Sequence, residues 1–475
     1  MSDFESASPA RRRRTALLLL IVIAGGLAGG AWYLWPRFER EAPQIRLSPD
    51  SDVLGTAPME ILVSDRGTGL KSVTATLVSG GTEHPFAAEQ FPQPVGERKL
   101  VVETSKLKGV KEGPAVMRVT ARDASWWNLF KGNETTLQKN LTIDVTPPTI
   151  ELVADDRYVN FGGVGMLVYK ASADTVKSGV RIGDQFFPGF PGVIKGHPEQ
   201  FAALFAHPYN VPADARPRLV ATDKAGNTGE MPVQYVLKNV RYRKSTIAVS
   251  EDFVRSKVAP LLSDVAARQG SPKEIFVRVN KGVRKENEDK IAEITGKGTP
   301  SVLWSGAFTQ LRNSKVEANF ADARSYRFNE EIVDHAYHLG YDLSVTKRYP
   351  VDASNSGTVA FAGPLGIYGN TVIIDHGLGL FTLYGHLSAI NVKAGDAVKH
   401  HQMIGRTGET GLAGGDHLHF GVYLSGVAVL PVEWWDAKWI RDNIQPKLDG
   451  RGGEAVAQAP QSRQARKATR KKRKP

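Results

Sequence analysis

Eight of the eleven histidines fall between His335 and His419, an 85-residue stretch of a 475-residue chain. Two of them, His417 and His419 in GDHLHFGV, are spaced H-x-H ahead of a run that reads as strand. Residues two apart on a strand point to the same face, so both imidazoles should enter one cleft while Leu418 turns away. In HLGYD, His338 and Asp342 stand four apart with Gly340 between them, a loop-to-strand spacing that can bring an imidazole and a carboxylate to one ion. The chain has no cysteine, so any metal must be held by His, Asp or Glu. Two His and one Asp make a three-ligand set of the catalytic zinc type, with a fourth position left for water or a substrate oxygen, where a closed structural site would use four protein ligands.

H-x-H alone is a weak signal, and a single histidine in a β domain is most often a satisfied polar residue. His84, His197, His207 and the pair His400 and His401 read as surface or structural groups, and His376 in IIDHG as the end of a strand. His335, three residues before His338, is a rival ligand.

The stretches HLGYDLSV, YGNTVIIDHG, TLYGHLS, VKAGDAVKHHQMIGRTGETG and GDHLHFGV, in that order, resemble the signature segments of the lysostaphin-type (LytM-type) zinc metallopeptidases that cut peptidoglycan peptides. The resemblance covers residues 320–437, roughly a quarter of the chain. It implies His338, Asp342 and His419 as ligands of Zn²⁺, and His386 and His417 as the catalytic pair. The reaction it implies is amide hydrolysis, with imidazoles rather than a glutamate handling the proton, since no HExxH motif occurs. Asp416 stands where the family often has Pro or Ser, and His400-His401 where Gly or Lys is common; neither is a matched ligand position. Members of the family that have lost ligands act as activators of other wall hydrolases, but all five matched residues are present here. An autoinhibited enzyme, its groove filled by a preceding segment, is a further alternative. A lipoyl- or biotinyl-like carrier module built on VKAGDAVKHHQMIG would need an exposed acceptor lysine and none of the histidines.

These side chains have to be held and placed. The expected architecture is mainly β: a transmembrane helix, two immunoglobulin-like β-sandwich domains, a small mixed α/β region and a C-terminal β-sheet metallopeptidase domain with an open groove. Short alternating strands such as MEILVSD, VTATLVS and AVMRVTARD predict a first sandwich over 44–146 and a second over 147–242, parted at Pro147-Pro148. RVTARD and RLVATD, 100 residues apart, form a weak internal repeat. Trp126, Trp127 and Phe130 between strands are expected to tuck inward, with an exposed contact as the alternative. A mixed helical region over 245–318 follows, with Ser250 as N-cap and a charged helix over 281–297, and then the metallopeptidase domain at 319–437.

Residues 15–35 are 21 uncharged residues, enough for a helix to cross ~30 Å of hydrocarbon at ~1.5 Å per residue. Arg11 to Arg14 before them should keep segment 1–14 cytoplasmic, leaving the bulk of the chain in the periplasm or cell wall space as a single-pass inner-membrane protein. A cleaved signal peptide is the competing reading. Gly25-Gly29 and Gly26-Gly30 form G-x-x-x-G pairs that could support a weak homodimer, although small residues are common in any such helix.

The net charge of +12 is confined to the ends: with Arg11 to Arg14 and the eight basic residues of 461–475 set aside, 49 basic face 49 acidic residues. The folded body therefore gives no nucleic-acid signal. A disordered basic tail is expected over 438–475, touching anionic envelope polymers or lipid by charge alone.

Overall fold

The computed structural model describes residues 9–452 and divides into two compact units, residues 1–147 with 222–227, and 148–221 with 228–475. The fold is mainly β, with an apolar N-terminal helix and the C-terminal domain at the histidines.

The helix spans Pro9–Leu34, and the segment Ala16–Phe38 is long and apolar enough to cross a membrane, with its side chains exposed. Beyond it, the first unit pairs an antiparallel three-stranded sheet (Gln44–Ser48, Met59–Ser64, Glu97–Val102) with a five-stranded one built on Leu70–Ser79, Gly113–Asp123 and Glu134–Ile143. Alternation in Leu70–Ser79 and Gly113–Asp123 puts Val73, Leu77, Met117, Val119 and Ala121 into a core with Ile61 and Val63.

In the second unit, two four-stranded sheets precede the C-terminal domain. Strand Val164–Ala171 is buried along most of its length, because one face covers its partner sheet and its neighbours join the large core shared with the C-terminal domain. Ser250 caps a short helix by accepting from the Phe253 amide at 3.2 Å, and Ser271 and Glu274 form a reciprocal capping box. From Pro272 the helical path runs on to Thr295, so it starts earlier than the 281 expected from charge pattern alone. The mixed region is also not self-contained: its first strand, Lys244–Val249, pairs in parallel with Ala323–Phe328, register Lys244 to Ala323.

The site rests on an eight-stranded sheet whose central members are Tyr341–Ser344, Leu418–Leu424, Leu380–Leu387, Asn370–Gly377 and Gly357–Pro364. Leu380–Leu387 and Leu418–Leu424 are buried on both faces.

The start of the segment expected as a disordered tail, at 438, is helical instead. Residues 437–448 are helical, Ile440 and Ile444 are buried, and Lys447 forms a buried ion pair with Asp156, all of which a charge-based reading of the sequence misses. The basic run 461–475, with its expected polymer or lipid contact, lies outside the described residues, as do residues 1–8.

Candidate metal centre and catalytic cleft

Three neighbouring antiparallel strands assemble the site. In the pairing of Tyr341–Ser344 with Leu418–Leu424, Asp342 lies directly opposite His419; on the other side of His419 lies Gly385, one residue before His386. A slip of one residue would turn Asp342 to the opposite face. His338 enters from the end of the preceding strand, over the turn at Gly340. A Cβ at Gly340 would come 2.5 Å from the Phe420 carbonyl oxygen and 2.8 Å from the His419 ring, so this close approach requires glycine.

His338 Nε2 is 2.9 Å from Asp342 Oδ1 and 3.0 Å from His419 Nδ1, and His419 Nδ1 is 3.1 Å from the same Oδ1. All three residues are largely buried. His338 Nδ1 faces the Asn319 carbonyl at 2.9 Å and must donate to it, which leaves a lone pair on Nε2 pointing at the other two donors. His419 Nε2 is buried with no hydrogen-bond partner. Two imidazole nitrogens and one carboxylate oxygen, mutually within 4.8 Å, form a set that could hold a divalent cation, and its composition fits zinc.

The other two matched histidines stand beside it. His386 and His417 have ring centroids 4.8 Å apart, and His417 Nε2 is 3.5 Å from Asp342 Oδ1. Each is held by its far nitrogen: His386 Nδ1 donates to the Thr410 carbonyl and His417 Nδ1 to that of Gly415, both at 2.8 Å. In both rings Nε2 is thereby the atom left to take up or share a proton. His386 also has a left-handed backbone, φ 61°, a conformation that non-glycine residues adopt rarely and that concentrates at functional sites.

Burial lowers the pKa of His386 to about 3 and that of His419 to about 4, favouring neutral imidazoles. For Asp342, burial would push the carboxyl up, but His338, His417 and His419 outweigh it and hold it well below the usual carboxylate range.

The cleft above these groups encloses about 730 Å³. One wall is the preceding region, through Val249, Phe253, Phe276 and Arg284, so the mixed segment lines the groove.

Sequence reasoning missed Arg324. Its Nη2 donates to Asp342 Oδ2 at 3.1 Å, leaving Oδ1 toward the histidines, and its Nε lies 3.6 Å from Asp322. No motif spacing links Arg324 to Asp342. The remaining histidines are elsewhere. His335 is exposed on its strand and bonds Ser325 Oγ at 3.1 Å, away from the cluster. His376 is fully buried within its strand, between the Ser356 carbonyl and Thr382 Oγ1, each at 2.8 Å. His400 and His401 stack on each other, and His84 and His207 are buried with hydroxyl partners Ser79 and Tyr235.

Residues 336–431 match Peptidase family M23. Over 107 residues the chain is 39% identical to DD-carboxypeptidase/endopeptidase Mpg of Neisseria meningitidis serogroup B, covering 22% of this chain and 25% of that protein. It is 35% identical over 112 residues to peptidoglycan DD-endopeptidase ShyA of Vibrio cholerae serotype O1, covering 24% and 25%. Stage II sporulation protein Q of Bacillus subtilis is 31% identical over 161 residues, covering 32% and 56%. The chain thus spans a quarter of the length of the first two and just over half of the third. Residues 336–431 thus form a peptidase family M23 domain.

Proposed function

We propose that this protein is a membrane-anchored metalloendopeptidase that hydrolyses peptide bonds in peptidoglycan cross-links. The observation that carries the reading is the convergence of His338 Nε2, Asp342 Oδ1 and His419 Nδ1 within about hydrogen-bonding distance of one another, beside His386 and His417 in one cleft. Those three residues would hold Zn²⁺, which when bound supplies Lewis acidity toward a carbonyl and acidifies water. His386 and His417, each fixed through Nδ1, offer Nε2 to accept a proton or to stabilise developing negative charge on the substrate oxygen. Arg324 holds the second oxygen of Asp342 and so fixes which oxygen faces the metal position. The names of the Neisseria and Vibrio relatives support a wall peptide as substrate.

The Ala16–Phe38 segment serves as an uncleaved anchor, with Arg11 to Arg14 on the cytoplasmic side and the M23 domain outside. The two β domains, read as immunoglobulin-like, act as spacers between anchor and catalytic domain. A second reading, a non-catalytic or autoinhibited regulator of other wall hydrolases, draws on the likeness to a sporulation protein whose name is not that of a hydrolase, and on the mixed segment lining the cleft.

The test is incubation of the full chain with purified sacculi, with and without chelator, followed by analysis of the released peptides. Metal-dependent loss of cross-linked muropeptides supports the peptidase; unchanged muropeptides under every metal condition support the regulator.

A further inference from the structure

The connection between strands Gly113–Asp123 and Glu134–Ile143 does not hide its apolar side chains. Of the three residues expected to tuck inward, Trp126 is half-buried, but Trp127 is 38% exposed and Phe130 64%, and Leu129 beside them is 85% exposed. Asn128, Leu129 and Phe130 all have left-handed backbone, with φ 53°, 57° and 64°, a strained arrangement for non-glycine residues, and the side chains of Leu129 and Phe130 stand exposed.

This turn is pinned where the chain leaves the apolar N-terminal segment. The Trp126 amide donates to the Arg37 carbonyl at 2.7 Å. Ser125 Oγ and Asn133 Nδ2 donate to the Glu39 carbonyl at 2.9 Å and 3.1 Å. Phe38 meets Trp126 edge-on at 5.7 Å, while Arg37 lies over the Trp126 ring at 4.9 Å and Arg40 over Trp127 at 4.2 Å. Phe38 is the last residue of the segment able to cross a membrane, so these contacts set the turn at the membrane-proximal end of the first unit. Its rim carries exposed Arg37, Arg40 and Lys131; of the nearby acids, Glu39 turns back to Thr68, Glu134 is exposed but bonded to Arg122, and Glu41 is exposed.

We infer that residues 127–131 are a second membrane contact, in which Leu129 and Phe130 enter the boundary between head groups and acyl chains of the bilayer that the N-terminal helix crosses, and Arg37, Arg40 and Lys131 meet anionic lipid head groups. An apolar tip, an aromatic at interface height and a basic rim are the combination that an anionic lipid surface recognises. The inference rests on the anchored reading proposed above. Its consequence is mechanical: the first β unit is held against the membrane surface by two attachments rather than swinging on one.

The chain has no cysteine, so single cysteines can carry an environment-sensitive fluorophore. Leu129→Cys, Phe130→Cys, Leu20→Cys and Thr82→Cys would each be made in the full chain and reconstituted into vesicles containing an anionic phospholipid. Thr82 is an exposed control next to the hairpin at the far end of the sheet, since Ser79 pairs with Ala115 whereas Leu70 pairs with Asp123 beside the turn. The expected result is a blue-shifted emission at 129 and 130 that is quenched by lipids spin-labelled near the head group, strongest quenching of 20 by lipids labelled deep in the acyl chain, and neither effect at 82. Labels at 129 and 130 as water-exposed as that at 82, with 20 still in the bilayer, overturn the contact and leave the anchor standing. A label at 20 that no lipid quenches overturns both. Shielding of 129 and 130 by added wall polymer but not by lipid also overturns the contact.

Discussion

Asp342 and His419 face each other across an antiparallel strand pair, with Oδ1 3.1 Å from Nδ1, so sheet register itself sets the spacing between two members of the candidate metal centre. His338, which reaches the same oxygen over a glycine turn, is the member whose position depends on a loop.

Removing an imidazole beside the metal position should separate chemistry from metal binding. His386→Asn is the suitable variant because Asn tolerates the left-handed backbone at this position. The expected outcome is a fall in kcat of about 10²- to 10⁴-fold on sacculi with metal content unchanged, read by product analysis and elemental analysis of the same preparation. Metal loss in this variant would place His386 among the ligands.

Arg324 acts through Asp342, so its loss should weaken metal binding without abolishing it. Arg324→Ala is expected to lower metal affinity or activity by about 10- to 100-fold, and Arg324→Lys to restore part of it, since Lys keeps the charge but not the fixed fork. Competition with a metal-binding dye reads the affinity directly. An unchanged affinity would reduce Arg324 to a cleft-lining residue.

Glu433 predicts a pH effect on stability remote from the site. Burial raises its pKa to about 8, although the Val164 amide and Asn160 Nδ2 both donate to its carboxyl, at 2.8 Å and 2.7 Å. Between the ordinary glutamate range and about pH 8, the folded protein keeps a proton that the unfolded chain has released. The folded state then binds more protons, so stability falls as pH rises through that window. Glu433→Gln should remove this component and flatten the unfolding midpoint of the second unit between about pH 5 and 8. An equally steep decline in the variant would assign the dependence to another group.

What could be read from the sequence was whatever is encoded by short spacing. H-x-H on a strand fixes a shared face, and His338 to Asp342 fixes a turn. Contacts that depend on distant segments were not legible. Arg324 and Asp342 come from strands of two different sheets and meet only through their side chains, Glu433 meets Asn160 across 273 residues, and Lys447 finds Asp156 across 291. None leaves a local pattern, and in a segment that looks like polar tail Ile440 and Ile444 are buried in the core while Lys447 pairs with Asp156. The exposure of Leu129 and Phe130 was hidden for a different reason: apolar residues in a turn usually tuck inward, and only the backbone shows that these do not.

The metal content of the purified full chain tests most directly whether His338, Asp342 and His419 share a single ion. The expected result is one equivalent of zinc per chain in the wild type and essentially none in His338→Ala, Asp342→Ala or His419→Ala, with each variant still folded by circular dichroism. A full equivalent retained in any of the three, or a wild-type chain that binds no divalent ion at saturating zinc, would contradict it.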